Sequence, residues 1–185
     1  MNIRLATLAD VPALQRLIEV SARGLSADYY NAAQIDAAMS EVFGVDTQLI
    51  ADGTYFVVDG PSAPIAVGGW SGRRTLYGGD QAKDADDSRL DPRSEPARIR
   101  AFFVHPDWAR RGLARQLYAE CERAARAAGF HRLELMATLP GEPLYIALGF
   151  SVVERISRVT TGGVAVPFTR MMRRIDARTA SESDV

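Results

Sequence analysis

The sequence predicts an α/β fold of the α+β kind, a mixed central sheet of about six to seven strands with helices on both faces. Three observations predict it. Apolar residues alternate along some segments and recur at helical spacing along others, in the order β-α-α-β-β-β-α-β-α-β-β. The unit at residues 97–138 reads strand–helix–strand, which makes two parallel strands joined by a right-handed crossover. The chain of 185 residues is 47% hydrophobic and 24% charged, the proportions of one globular domain and not of a disordered or fibrous chain.

Residues 3–6 are a short β-prone start, and Asp10 stands where a helix N-cap would, with Pro12 tolerated in the first turn. Leu14, Leu17, Ile18, Ser21 and Leu25 then follow at helical spacing. A second helix over residues 32–43 carries Ile35, Met39 and Phe43 on one stripe, after a turn containing Tyr29 and Tyr30. Residues 54–59 and 64–70 flank Gly60-Pro61-Ser62-Ala63 and read as a hairpin. Residues 72–96 are polar and rich in Gly, Asp and Pro, too long for a routine connection; they are either a mobile loop over a site or a solvated insertion.

Residues 97–104 are β-branched and aromatic, hence a strand, and residues 112–128 a helix. That helix places Leu113, Leu117, Cys121, Ala124 and Ala128 on its apolar side, with Gly129 just past its end. Residues 131–138 form a further strand, Gly149 ends a short helix, and residues 151–160 and 164–175 close the sheet. A single domain is expected over residues 1–175, and the polar tail 176–185 is expected to be disordered.

Charge and residue counts exclude several classes. Twenty-two Lys+Arg against 23 Asp+Glu give a net charge of −1, so bulk affinity for nucleic acid or anionic membrane is not expected. The single cysteine, Cys121, rules out an intramolecular disulfide, and with only His105 and His131 beside it no metal site is expected. The N-terminus lacks the form of a secretory signal and no apolar run reaches the ~20 residues of a membrane helix, so the expectation is a soluble, cytoplasmic protein. The P-loop pattern is absent, and Arg73 spoils a G-x-S-x-G match after Gly68.

The segment VHPDWARRGLARQLY carries the chemistry. A strand ends at Val104, the chain turns, and Arg110, Arg111 and Gly112 lead into a helix whose first N–H groups and dipole make an anion site. Gly112 admits a phosphate closely, small Ala114 keeps the next turn open, and Arg115 adds a third guanidinium. A phosphate or pyrophosphate at the helix N-terminus fits this spacing; a solvated helix start with surface arginines fits it as well.

Here the sequence resembles the GCN5-related N-acetyltransferases (GNAT). Their Q/R-x-x-G-x-G/A signature, after a strand ending in V-x-P, is similar to Ala109-Arg110-Arg111-Gly112-Leu113-Ala114 after Val104-His105-Pro106. Their F-Y-x-x-x-G-F motif is similar to Leu144-Tyr145-Ile146-Ala147-Leu148-Gly149-Phe150, and the resemblance spans residues 3–175. It implies a GNAT-like sheet and an acetyl-CoA cleft where the strands 97–104 and 133–138 splay. It further implies that the pyrophosphate lies on residues 110–115 and the pantetheine along Phe102, Phe103 and Val104. One backbone N–H there would polarise the acetyl carbonyl. Tyr145 then matches the tyrosine that protonates the departing thiolate.

Three departures stand out. Ala109 replaces the usual Gln or Arg, so phosphate binding rests on backbone and on Arg110, Arg111 and Arg115. Thr138 takes the place of a frequent asparagine, a weaker cofactor contact. Arg100 occupies the position of the glutamate that many members use as general base. Glu95, Asp107, His105 and Glu142 are nearby alternatives, each more in keeping with a surface residue, so no base is assigned; His131 reads as a solvated loop residue.

On the acceptor side Tyr29, Tyr30, Trp70 and Phe102 are either an aromatic wall or simply core, with residues 77–91 folded over them. Asp80, Asp84, Asp86 and Asp87 either attract a cationic amine or form a solvated charge run. Cys121 falls on an apolar stripe and reads as buried. The expectation is an acetyl-CoA-dependent N-acetyltransferase acting on a primary amine of a small molecule or peptide by direct attack, with a homodimer in keeping with the family. The rivals are a non-catalytic acyl-CoA-binding module and, against the charge balance, a nucleic-acid-associated protein.

Overall fold

The computed structural model describes residues 2–83 and 86–175. The tail expected to be disordered, and Asp84, lie outside the described residues. Seven strands form one sheet: β1 Ile3–Leu5, β2 Tyr55–Asp59, β3 Pro64–Ser71, β4 Ala97–Val104, β5 Arg132–Thr138, β6 Ser151–Val159 and β7 Ala165–Arg174. Their order is β1-β2-β3-β4-β5-β7-β6, antiparallel throughout except for the β4–β5 pair. Among the described residues five α-helices accompany them: α1 Val11–Ser26, α2 Ala32–Glu41, α3 Thr47–Ala51, α4 Leu113–Ala127 and α5 Glu142–Ala147.

Period-two alternation sends side chains of each strand to opposite layers. Tyr55, Val57, Val166 and Phe168 pack with Leu14, Leu17 and Ile18 of α1 and Ile35 of α2. Leu133, Leu135 and Met171 pack with Tyr118 and Cys121 of α4 and Tyr145 of α5. Val58 and Ala66 pack with Leu113 and Leu117, at the start of α4. The buried side of α4 thus uses Tyr118 and Ala125, while Ala128, expected there, is exposed at the helix end. Cys121 is fully buried, as its stripe implied.

Two helix starts differ from expectation. Asp10 occupies the position before α1 but has helical backbone and makes no side-chain cap. Its carboxylate takes the Thr7 N–H at 2.7 Å and the Arg4 guanidinium at 2.8 and 2.9 Å, because a cation on β1 outcompetes a helix amide for it. Helix α3 is additional to the expected elements, because five residues carry no helical period; Asp46 starts it by accepting from the Gln48 N–H at 3.0 Å. No helix among the described residues is long and apolar enough to cross a membrane.

The described residues of the long polar segment after β3 are tied to the fold at several points. A bridge pairs Arg73 with Arg89, Thr75, Gly79 and Leu90 are buried, and Gly79 and Asp80 donate their N–H groups to Val42 and Val45 carbonyls. The segment packs onto the junction between α2 and α3.

Candidate active site

The parallel ladder between β4 and β5 has two rungs, Ala97↔Leu133 and Arg98↔Glu134. Arg98 and Arg170 both reach the buried Glu134 at the second rung. Beyond it β4 breaks register with β3 between Val67 and Gly69, and Ala101 adopts a left-handed backbone at φ 54°. This bulge turns β4 away from β5. The gap is a cleft of about 790 Å³ with Phe102, Phe103 and Val104 on one wall and Met136, Ala137 and Thr138 on the other.

Phe102 reaches the cleft across Gly68, where a Cβ would stand 2.7 Å from its ring, so only glycine leaves it room. Its ring meets Tyr145 edge-on at 6.4 Å. Tyr145 also packs against Phe150 at 5.7 Å, which locks the phenol on the cleft wall. Burial pushes its pKa above the ordinary tyrosine value, so the hydroxyl stays protonated at neutral pH.

At the mouth, left-handed backbone at Arg110 (φ 63°) and Gly112 (φ 81°) feeds the chain into α4. The first intrahelical bond runs from the Gln116 N–H to the Gly112 carbonyl, which leaves the N–H groups of Leu113, Ala114 and Arg115 without helical partners. Arg110, Gly112, Leu113, Ala114 and Arg115 line the cleft. Arg111 does not line it; its guanidinium stacks 4.8 Å from the centroid of the Trp108 ring.

Of the side chains considered as bases, none lines the cleft. Glu95 is paired with Arg74, and Arg155 with Thr169 holds Glu142 below the usual carboxylate range. His105 accepts the Asp107 N–H through Nδ1 at 3.2 Å, and Asp107 and His131 are exposed. Among the described lining residues the one carboxylate is Asp28. No group of three or more His, Cys, Asp or Glu is arranged for a metal ion among the described residues.

Arg100, in the place of the expected base, is 3% exposed and serves the fold. It donates to the Asp46 carboxylate at 2.8 Å and to the carbonyls of Thr75 at 2.6 Å and Gly78 at 2.7 Å. Lys83 meets the same Asp46 at 2.9 Å. Removing one member of a buried ion pair of this kind costs about 3–5 kcal/mol.

The aromatic wall forms only in part. Tyr29, Tyr77 and Phe102 line the cleft. Tyr30 is core: its hydroxyl donates to the Pro167 carbonyl at 2.8 Å and accepts from the Leu139 N–H, and burial pushes it up to about 12. Trp70 packs against Phe130 in the α4 layer, because alternation along β3 sends it away from the cleft. Of the acidic run, Asp80 pairs with Lys83, Asp86 with Arg74, and Asp87 accepts the Thr75 N–H.

Residues 76–78 of the long polar segment line the cleft, where a loop over a site was one of the two expectations; sequence reasoning missed Ser21, whose Oγ accepts the Val104 N–H at 3.1 Å, and the wall made by residues 42–44. The polar Ser21 inside an apolar helical stripe was the available signal.

A model of the acetyltransferase (GNAT) family matches residues 36–150. Among solved structures, a GCN5-related N-acetyltransferase from Rhodopseudomonas palustris superposes with a TM-score of 0.70 at 18% identity, over 94% of this chain and 95% of that one. A PaiA N-acetyltransferase from Thermoplasma acidophilum in complex with coenzyme A gives 0.63 at 14% identity, over 94% and 98%. The putative acetyltransferase YncA from Salmonella typhimurium with its cofactor acetyl-CoA gives 0.59 at 18% identity, over 100% and 99%. These likenesses are of fold. No curated protein sequence matches the chain.

Proposed function

The chain belongs to the GNAT acetyltransferase family, and from that premise we propose that it transfers an acetyl group from acetyl-CoA to a primary amine by direct attack, in the cytoplasm. The observation that carries this reading is the splayed β4–β5 cleft with the α4 N-terminus at its mouth and Tyr145 on its wall. Free first-turn amides of α4, with Arg110 and Arg115, fit a pyrophosphate, and the wall of Phe102, Phe103 and Val104 fits an extended pantetheine. Thr138 lines the opposite wall of the cleft, on β5.

In the reaction the amine nitrogen bonds to the acetyl carbon, the carbon–sulfur bond breaks, and the electron pair leaves on sulfur. Tyr145 gives its proton to the thiolate and recovers one from solvent; the proton shed by nitrogen passes to water. Burial makes the phenol a weaker acid in the site, so the transfer relies on a hydrogen bond to sulfur that is formed before the thiolate departs and stabilises its charge. No cysteine enters the chemistry, since Cys121 is sealed in the core.

Free thiol release from acetyl-CoA in the presence of amines tests the reading. Tyr145→Phe is expected to lower kcat by about 10²-fold with coenzyme A affinity retained. An unchanged kcat refutes the acid assignment. Arg100 in the base position favours a second reading, an acyl-CoA-binding module without turnover; coenzyme A binding without thiol release for any amine would select it.

A further inference from the structure

The part of the cleft away from the α4 N-terminus is walled by rings. Phe43 meets Phe103 edge-on at 5.8 Å and Phe168 at 6.4 Å, and Tyr77 lies against Phe168 at 6.0 Å. Leu25 and Tyr29 add apolar surface beside them. The charged side chains lining the whole cleft are Asp28 against Arg100, Arg110 and Arg115, among the described residues. An acceptor with several ammonium groups finds a single counter-charge there. An acceptor with one amine sheds one proton to react and leaves an apolar body to the rings.

Tyr77 sits on an irregular segment, and what fixes it is Arg100. The two carbonyls that Arg100 holds, those of Thr75 and Gly78, bracket Leu76 and Tyr77. Asp46 neutralises and orients the same guanidinium from the start of α3. Arg158 steadies the ring from β6, lying 5.6 Å from its centroid and donating to its hydroxyl at 3.2 Å.

We propose that the acceptor is a primary monoamine with an aromatic or bulky aliphatic body, and that Arg100 sets this specificity by clamping residues 75–78 so that Tyr77 closes the acceptor wall. Arg100 is a positioning residue, acting on the acceptor through Tyr77. The proposal rests on the acetyl-transfer reading of the cleft.

The test compares 2-phenylethylamine with spermidine on the full chain at saturating acetyl-CoA, with coenzyme A affinity measured separately by calorimetry. For the wild type, kcat/KM for 2-phenylethylamine is expected to exceed that for spermidine by about tenfold or more. Tyr77→Ala should raise KM for 2-phenylethylamine about tenfold, with kcat within about twofold and coenzyme A affinity unchanged. Arg100→Lys keeps a charge beside Asp46 but loses the planar fork that spans two carbonyls and a carboxylate, and should reproduce the KM rise. An unmoved KM in a folded Arg100→Lys overturns the role given to Arg100; should that variant not fold, Asp46→Asn, which loosens the same guanidinium, is expected to give the same KM rise, and an unmoved KM there overturns it. Preference for spermidine or for a peptide N-terminus, no turnover of 2-phenylethylamine by a chain that binds coenzyme A, or an unmoved KM in Tyr77→Ala overturns the proposal. Failure to bind coenzyme A instead overturns the reading of the cleft on which it rests.

Discussion

Gly112 is constrained by its backbone and not by space. A Cβ there would meet only the Gln116 side-chain nitrogen, at 4.0 Å, yet φ is 81°. An L side chain in that region costs about 1–2 kcal/mol. Relaxing the angle would also turn the first amides of α4, the groups proposed to hold the pyrophosphate. Gly112→Ala is therefore expected to lose that much stability in urea unfolding and to weaken coenzyme A binding about tenfold in calorimetry. Lost stability with full affinity would separate the turn from the phosphate site. The turn into α4 was legible in the sequence because a helix start is local, made by Gly112 and the residues just after it. Arg111 was not, because its partner Trp108 competes for the guanidinium, and a stacking contact leaves no spacing to read.

At the scale of elements, β1, β2 and α1 meet at one ionic clamp. Arg4 on β1 reaches Asp10 before α1 at 2.8 Å and Asp59 at the end of β2 at 2.8 Å. The Arg4 guanidinium, and then the Thr7 N–H and hydroxyl, hold the Asp10 carboxyl below the usual range against the cost of burial. A depressed folded-state value means that the contribution is complete above the unfolded value near 3.8 and is lost as pH falls through the folded one. Asp10→Asn should destabilise by about 1–2 kcal/mol at pH 7. The gap between variant and wild type should narrow steadily below about pH 4 in urea titrations; an equal gap at pH 7 and pH 2 would show that the ionised form is not what joins these elements. The long elements were readable from periodicity. Helix α3 and the path of residues 72–96 were not, because contacts remote in sequence decide them: Asp46 with Arg100, Gly79 with Val42.

The whole molecule is two half-sheets, β1–β4 and β5–β7, joined in the sheet plane by two rungs at Ala97↔Leu133 and Arg98↔Glu134. The parallel pair was legible from the strand–helix–strand unit, whereas the placing of β7 between β5 and β6 was not read. The depth of the splay was not, since it depends on a single left-handed residue, Ala101, and on the room that Gly68 leaves for Phe102. A ligand filling the gap touches both halves and binds only the folded chain, so its binding energy adds to global stability. At a hundred times its dissociation constant, coenzyme A contributes about 2.7 kcal/mol. For a chain of this size that is a rise in Tm of roughly 5–10 °C. Hydrogen exchange should slow together at residues 102–104, 113–115 and 136–138, one stretch from each wall and one from the mouth, and stay unchanged along β6 at the far edge. Protection confined to residues 113–115 would mean that the ligand docks by its phosphates alone and never bridges the two half-sheets.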